Sequence, residues 1–315
     1  MDYKISLIVP YFNESSTIIK TLNLLKSQTY LPKEILLINS SSTDDTYNKI
    51  NIWIKKKNLK HLFKNINSKS KNPSSSKNLG IINSKHNWLA FMDCGLFFKK
   101  NWLLTQVNFL KHNFDIKILM GLCSMESNNI LDRCFISQTW GYGTLTPVIP
   151  SSLIHKSVFK KIGYFENRRA GYDRIWIKKA KLTEFYKINR KCIIKYFKIV
   201  HANNILDYVK KIFSYSSASY GLKNFYNPYL YFFFFLISLT IVINNSSNIF
   251  FIFFFYIFFR GYLFPFLKSR KIIFFFKNPI LFVYLPFIGF LTDISRLSGY
   301  LFGIFRSINN NSYTN

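Results

Sequence analysis

Apolar and polar positions form alternating blocks in the first half of the chain. Two short apolar runs, at residues 6–9 and 34–38, end abruptly in small and polar side chains. Between them, residues 16–28 place their apolar positions on one broad face of a helix. The order strand, helix, strand predicts a parallel sheet. Ligands of such sheets bind beyond the carboxyl ends of the strands, so we expect a ligand site at the two polar clusters.

The same alternation of strands and helices continues towards the middle of the chain, which predicts an α/β fold. A stretch rich in Ser, Asn and Lys at 65–77 is typical of a loop, and 127–150 has no regular period. Further predicted strands lie at 88–92 and 116–123, and further predicted helices at 47–57, 78–84, 102–112 and 207–222.

The composition changes sharply after Pro228, where the chain becomes apolar and rich in Phe. Apolar stretches run over 229–243, 249–267 and 280–291. Only the second approaches the ~20 residues that a membrane-crossing helix needs. We therefore expect a hydrophobic membrane-anchoring region at 226–315 behind a domain at 1–225. Some of its segments are expected to be short and tilted, re-entrant or interfacial.

The distribution of basic residues predicts an orientation in the membrane. The connection at 244–248 is uncharged, whereas the connection after the second stretch carries Lys268, Arg270, Lys271 and Lys277. Basic residues stay on the cytoplasmic side, which places the first domain there too. The first apolar run ends at Pro10, too early for a signal peptide. Arg260, inside the second stretch, either snorkels to an interface or marks a functional contact, and we favour snorkelling.

The formal net charge of +29 has three possible sources. A nucleic-acid ligand is one, but no nucleic-acid-binding module is recognisable. A composition biased towards Lys, Asn, Ile and Phe is another, and we favour it for much of the excess. Anionic lipid headgroups are the third. The four cysteines have neither C-x-x-C nor zinc spacing, which suits a reducing compartment.

Pro10, Asn13 and Glu14 end the first strand and begin the loop after it, and Asp44 follows the second strand. With the helix between the strands, these residues resemble the start of family 2 glycosyltransferases, inverting enzymes with the GT-A nucleotide-sugar fold. The family's P-x-x-N-E is matched by Pro10, Asn13 and Glu14, and Asp44 matches the end of its D-D-x-S-x-D. Asn39 stands where the first Asp of that motif usually lies. The resemblance implies a pocket for the base and ribose of a nucleotide sugar. The implied residues are Pro10, Tyr11, Asn13, Glu14, Asn39, Ser42 and Asp44.

A second group of motifs resembles the part of the family that holds the diphosphate. Asp93-Cys94-Gly95 stands at the family's D-x-D, with Gly95 in place of the second acid. Lys77 and Asn78 resemble its R-N-x-G. The resemblance implies contacts of Lys77, Asn78 and Asp93 with the donor, and a divalent cation (Mn or Mg) held by Asp93 and His201. The alternatives are an Asp93 that caps a turn, an ordinary helix start with Asn78 near its cap, and a His201 that is structural.

The implied catalytic base is Asp173. Residues 161–166 resemble the family's G-G-F-D/E turn, and Gly171-Tyr172-Asp173 resembles the E-D that precedes a helix. Asp173 matches the D, while Tyr172 replaces the acid before it. A carboxylate at a helix start is stabilised by backbone N–H groups and still accepts a proton. The alternative is a helix cap without chemistry.

The resemblance implies a membrane glycosyltransferase of polysaccharide biosynthesis in the cell envelope. It would move a sugar with inversion from a nucleotide-sugar donor to a lipid-linked or cell-surface glycan acceptor, on the cytoplasmic side of the cell membrane. Membrane lipids are expected partners, and nucleic acid is not. Three alternatives stay open: transfer to polyprenyl phosphate, a non-catalytic nucleotide-sugar binder, and a basic membrane-surface or nucleic-acid binder. A G-x-x-x-G spacing at Gly299 and Gly303 favours close helix packing.

Overall fold

The computed structural model describes residues 3–197, 202, 204–219, 237–239 and 247–311. The chain forms two compact units. One comprises Met1–Ser124 and Leu145–Tyr196, and the other Met125–Thr144 and Phe197–Asn315. We call them the sheet unit and the helical unit. The sequence predicted a division near residue 225, whereas in the structure residues 125–144 group with the C-terminal part.

The sheet unit is built on seven strands in the order β3-β2-β1-β4-β6-β5-β7. The pairs β1–β2, β1–β4 and β2–β3 are parallel, and β6 is antiparallel to both β4 and β5. The predicted α/β fold with a mostly parallel sheet is therefore confirmed. The strands are β1 Ile5–Tyr11, β2 Glu34–Asn39, β3 Phe63–Asn67, β4 Trp88–Phe91, β5 Ile118–Met125, β6 Leu145–His155 and β7 Tyr186–Tyr196.

Helices flank this sheet. Every residue of β1 and β2 is buried, as expected of strands covered on both faces. Gly80 lets α3 approach β1 closely, because a Cβ there would lie 2.5 Å from Ile8 Cγ2. The helices are α1 Ile18–Lys26, α2 Thr46–Lys56, α3 Pro73–Asn83, α4 Trp102–Lys111, α6 Ser157–Ile162 and α7 Tyr172–Ala180. α5 belongs to the other unit.

The helical unit packs α5 against later helices of the chain. Its buried core joins Phe135 of α5 to Tyr208 and to Leu285. Among the described residues, one helix, at residues 280–306, is long and apolar enough to cross a membrane by length and composition. Most of the predicted apolar stretch at 229–243 lies outside the described residues. The helices are α5 Ile130–Thr139, α8 Ile205–Ala218, α9 Ser247–Ile257, a π-helical turn Phe258–Leu263, α10 Phe264–Lys268, α11 Ile273–Phe276 and α12 Ile280–Asn311.

The prediction that Arg260 snorkels is wrong. Its guanidinium is buried, and Nε and Nη2 donate to the Asp293 carboxylate at 2.6 and 2.9 Å. Tyr256 donates a third hydrogen bond to the same carboxylate at 3.0 Å. The acid on α12 compensates the desolvation of the cation, so the side chain stays inside the unit.

Close packing at Gly299 is confirmed, since a Cβ there would lie 2.4 Å from the Phe213 carbonyl oxygen.

Candidate active site

The loops that follow β1 and β2 are joined by hydrogen bonds. Asn13 has a positive φ of 53°, and its side-chain oxygen accepts from the Thr43 N–H at 2.8 Å. The Asn13 N–H donates to Ser42 Oγ at 3.0 Å. The next two N–H groups, of Glu14 and Ser15, donate to Thr46 Oγ1 at 2.9 Å and to Asp44 Oδ2 at 3.1 Å. The structure thus brings together four residues predicted to bind the nucleotide: Asn13, Glu14, Ser42 and Asp44.

The predicted residues at the strand ends make contacts within the protein. Asn39 accepts from the Ser42 N–H at 2.9 Å and donates to Asn67 Oδ1 at 3.0 Å. Tyr11 is buried and donates to Asn65 Oδ1 at 2.7 Å. Pro10 is buried in β1 opposite Ile38. These side chains shape the rim of the loops, and their contact with a nucleotide remains a prediction.

A buried ammonium joins the end of β4 to the start of α7. Lys77 lies on α3 and is 1% exposed. Its Nζ donates to Asp93 Oδ1 at 2.8 Å and to the Tyr172 hydroxyl at 3.0 Å. The other Asp93 oxygen, Oδ2, accepts from the Tyr196 hydroxyl at 3.2 Å. These four residues, which we call the Lys77 network, connect the predicted donor carboxylate with the helix that carries Asp173.

The charges of this network stabilise each other. Burial lowers the pKa of Lys77, but the Asp93 carboxylate and the Tyr172 phenol outweigh it and leave that pKa above its ordinary value. Burial raises the pKa of Tyr172 to about 12, so the phenol is neutral and accepts from the ammonium. The network therefore pairs the buried Lys77 ammonium with the partly exposed Asp93 carboxylate.

Asp173 lies in the first turn of α7, directly after Gly171 and Tyr172. Gly171 has a φ of 77°, a conformation that favours glycine. Burial raises the pKa of the Asp173 carboxyl, and the negative charge of Asp93 adds to this. The Arg174 N–H, 2.9 Å from Oδ1, and the Lys77 ammonium oppose the shift. A carboxylate with a raised pKa suits a proton acceptor near neutral pH.

Asn78 has a different contact from its neighbour Lys77. Its amide donates to the Phe165 carbonyl at 2.7 Å and accepts from the Phe165 N–H at 3.1 Å. This two-point bond fixes the predicted Gly-x-Phe-Glu turn on α3. The sequence placed both segments in one site, and the structure connects them through this amide. A direct contact of Asn78 with the donor remains a prediction.

Gly95 lies beside Glu14. Gly95 has a φ of 74°, and a Cβ there would lie 3.8 Å from Glu14 Oε2. Burial raises the pKa of Glu14, the charges of Asp93 and Asp44 raise it further, and the Thr17 hydroxyl opposes them. The two polar loops and the Lys77 network therefore act on each other electrostatically at one edge of the sheet.

The described residues do not fit a two-carboxylate metal site. Gly95 has no side chain to offer, and both oxygens of Asp93 already accept hydrogen bonds, one of them from a cation. No group of three or more His, Cys, Asp or Glu side chains lies together within the described part of the chain. His201, the other predicted ligand, lies outside the described residues.

Sequence reasoning missed the role of Tyr196. Its hydroxyl reaches Asp93 from the end of β7, and burial raises its pKa well above the ordinary value. The sequence shows a Tyr at the end of a segment that alternates polar and apolar residues. This pattern indicates that one face of the strand is buried, but it does not indicate which distant carboxylate the Tyr hydroxyl contacts.

The mostly parallel sheet with polar loops at its carboxyl edge defines a nucleotide-sugar fold of the GT-A type. The family model of glycosyl transferase family 2 matches residues 6–163, which is half of the chain. The chain belongs to this family.

Named relatives and solved structures extend this comparison. An uncharacterized glycosyltransferase of Rickettsia felis is 28% identical over 187 residues, covering 56% of this chain and 30% of that protein. WfgD of Escherichia coli, named a UDP-Glc:alpha-D-GlcNAc-diphosphoundecaprenol beta-1,3-glucosyltransferase, is 24% identical over 168 residues, covering 50% of this chain and 64% of WfgD. The chain thus spans less than two thirds of either relative. The mannosyltransferase PcManGT of Pyrobaculum calidifontis, solved with GDP-Man and Mn²⁺, aligns at a TM-score of 0.50 with 14% identity, covering 69% of this chain and 63% of PcManGT. That likeness concerns the fold.

Proposed function

We propose that this protein is a glycosyltransferase that moves a monosaccharide, with inversion, from a nucleotide-sugar donor to a hydroxyl of a lipid-linked glycan. One observation carries the proposal: the Lys77 network ties Asp93, at the end of β4, to the helix start that bears Asp173. A donor-side carboxylate and a proton acceptor on one ligand-binding edge are what sugar transfer requires. The name of WfgD, with its diphosphoundecaprenol acceptor, supports the class of acceptor.

In the proposed step, Asp173 accepts the proton of the acceptor hydroxyl. The hydroxyl oxygen attacks the anomeric carbon from the side opposite the diphosphate, and the bond from that carbon to the diphosphate oxygen breaks. The leaving diphosphate keeps the electron pair. Lys77 is buried, so we assign it an indirect role: it holds the Asp93 carboxylate at the donor and balances its charge. Asn13, Glu14, Ser42 and Asp44 shape the nucleotide pocket.

We further propose that the protein is membrane-associated, with the sheet unit on the cytoplasmic side. The apolar helix at residues 280–306 supports membrane association by its length and composition. The basic residues after residue 267 support the sidedness. A lipid-linked acceptor would be reached from the same surface.

A donor screen tests the activity. The full chain in detergent is given UDP-Glc, UDP-GlcNAc, UDP-Gal or GDP-Man together with a GlcNAc-diphosphate lipid, and nucleotide release and product are measured. The anomeric configuration of the product, read by NMR, tests inversion.

Parallel reactions with Mn²⁺ and with EDTA test whether transfer needs a cation. We expect the two rates of transfer to differ by less than tenfold, because the described residues lack a two-carboxylate site. If EDTA abolishes transfer and Mn²⁺ restores it, this expectation is wrong, and His201 becomes the candidate metal ligand.

Asp173→Asn tests the proton acceptor. We expect the rate of transfer to fall by about 10²–10⁴-fold, the usual contribution of a positioned base. Donor affinity, measured by calorimetry, should change less than about twofold, since Asn is nearly isosteric. Asp115→Asn is the matched control, because Asp115 is an exposed acid before β5. Transfer at the original rate by Asp173→Asn would show that another group accepts the proton.

A further inference from the structure

Residues 267–280 combine exposed apolar and exposed basic side chains. This stretch, which we call the connecting segment, joins α10 to α12 and includes the short helix α11. Leu267, Ile273 and Phe276 are 76%, 68% and 67% exposed. The exposed cations are Arg270, Lys271 and Lys277. Several large apolar side chains exposed within one short segment are typical of an interaction surface.

The orientation of the connecting segment is fixed by contacts inside the helical unit. Phe275 is fully buried in the core of that unit. The ring of Phe274 stacks on Tyr142 with centroids 3.4 Å apart, and the Arg270 N–H donates to the Tyr142 carbonyl at 3.0 Å. Because Phe275 points inward, its neighbours Ile273 and Phe276 are held outward. The packing of the helical unit therefore fixes the outward orientation of these apolar side chains.

The helical unit, which carries these cations, contains four acidic residues in its sequence: Glu126, Asp132, Asp207 and Asp293. After Asp207 the sequence contains a single acidic residue, Asp293, and that carboxylate accepts from Arg260. Arg270, Lys271 and Lys277 form no ion pair with an acid among the described residues. A partner for this face needs negative charge and an apolar layer directly beneath it. The surface of an anionic bilayer has both.

We propose that the connecting segment docks in the headgroup region of an anionic bilayer and lies along the membrane rather than crossing it. Arg270, Lys271 and Lys277 contact lipid phosphates, while Ile273 and Phe276 enter the boundary of the acyl chains. α11 has four residues, far fewer than a span requires.

Trp140 supports this placement. It is 36% exposed and follows Thr139, whose carbonyl accepts from Lys268 Nζ at 2.9 Å. Trp is enriched at the level of the headgroups.

This inference rests on the proposed membrane association but not on sugar transfer. A depth measurement separates the two. A nitroxide at Ile273→Cys, in the full chain bound to phosphatidylglycerol vesicles, is probed with oxygen and a nickel chelate, with unlabelled protein as background. Leu182→Cys, 85% exposed in the sheet unit, is the matched control. We expect the label at 273 to lie about 5–10 Å below the surface and the label at 182 in water.

Other depths overturn the inference. A label at 273 in water, or at the bilayer centre, contradicts interfacial docking even when the protein binds the vesicles. Failure of the protein to bind any vesicle refutes membrane association itself, and the inference with it.

Charge reversal tests the headgroup contact. In vesicle co-sedimentation, Lys271→Glu/Lys277→Glu should weaken binding to phosphatidylglycerol vesicles by at least about 25-fold, since each basic residue contributes about fivefold. Binding to pure phosphatidylcholine vesicles should change little. Lys181→Glu/Lys187→Glu, at exposed lysines of the sheet unit, is the control for net charge. An equal loss on both kinds of vesicle, or the same loss in the control, overturns the inference.

Discussion

The Lys77 ammonium decides the electrostatics of the site at the scale of residues. It has three N–H donors, and Asp93 and Tyr172 accept from two of them. In the family motif that this segment resembles, an acid stands where Tyr172 lies. A phenol keeps the acceptor but adds no negative charge. The network is therefore close to neutral, and it repels an anionic diphosphate less than an additional carboxylate would.

Tyr172→Phe removes one acceptor from the buried ammonium and keeps the ring. We expect the free energy of unfolding to fall by about 1.5–3 kcal/mol, the usual contribution of a hydrogen bond to a charged group. Donor turnover should fall too, because Lys77, which holds Asp93, loses one of its two acceptors. Denaturant unfolding in detergent and the donor assay measure the two effects.

Tyr186→Phe is the matched control for this substitution. The Tyr186 hydroxyl is buried and has no hydrogen-bond partner among the described residues. Its removal should leave stability unchanged or raise it, because an unsatisfied polar group is lost. Equal effects of the two substitutions would show that the Lys77–Tyr172 bond contributes nothing.

The pH dependence of transfer tests the charges around Asp173. The base proposed here must be ionised to accept a proton. Burial raises the pKa of Asp173, so activity should be lost on acidification above the ordinary Asp value of about 3.9. Asp93→Asn removes a charge that raises this pKa, so the acidic limb of kcat/KM should move to lower pH. Lys77→Met removes a charge that lowers it, so the limb should move to higher pH. If the acidic limb moves in the same direction in both variants, Asp93 and Lys77 do not act on Asp173 as the structure indicates.

Much of the candidate site was predictable from single residues. Asp93, Lys77 and Asp173 were selected from motifs. Asp93 and Lys77 lie in the Lys77 network, and Asp173 follows its member Tyr172 on α7. The contact of Tyr196 with Asp93 was not predictable, since it joins residues that are 103 positions apart. The amides of Asn39 and Asn78 were expected to face the donor, but here they bond to the protein. A motif fixes the place of a side chain, whereas its partners depend on packing.

At the scale of elements, the sequence missed features whose apolar pattern is weak. The polar stretch at 65–77 contains the end of β3 and the start of α3, because Pro73 begins the helix at a position that proline favours. The irregular region at 127–150 contains α5 and much of β6. Only tertiary packing distinguishes these from loops.

Gly141→Ala tests how the loop after α5 docks on the connecting segment. Gly141 has a φ of 84°, and a Cβ there would lie 2.0 Å from the Lys268 carbonyl oxygen. Gly163→Ala is the matched control: φ is 92°, but a Cβ would meet no atom within 4 Å. Both substitutions strain the backbone, by about 1–3 kcal/mol. Only in Gly141→Ala does the added Cβ also overlap a backbone group, the Lys268 carbonyl.

We expect Gly141→Ala to lower the free energy of unfolding by about 2 kcal/mol more than Gly163→Ala. Denaturant unfolding in detergent, followed by tryptophan fluorescence, measures both. Equal losses would mean that the loop moves away from Lys268 without cost.

At the scale of the whole molecule, the sheet unit is not continuous in the chain. Residues 125–144 leave it between β5 and β6 and belong to the helical unit. A fragment of residues 1–196 therefore keeps α5 but loses Tyr208 and Leu285, which cover Phe135. We expect this fragment to aggregate.

A second fragment tests the same point. Ser124 pairs with Leu145 across the β5–β6 hairpin, so a turn of about four residues can replace 125–144. We expect the shortened fragment to be monodisperse in size-exclusion chromatography. Monodisperse behaviour of the first fragment would contradict the role assigned to α5.

The interruption of the sheet unit also affects biosynthesis. The ribosome delivers α5 long before α12, with about 140 residues between them, which takes roughly 7–28 s at ordinary rates of translation. Until α12 emerges, the apolar face of α5 has only part of its native cover, which Tyr208 on α8 provides. The nascent chain must therefore be shielded by a chaperone or by early contact with lipid until the last helix emerges.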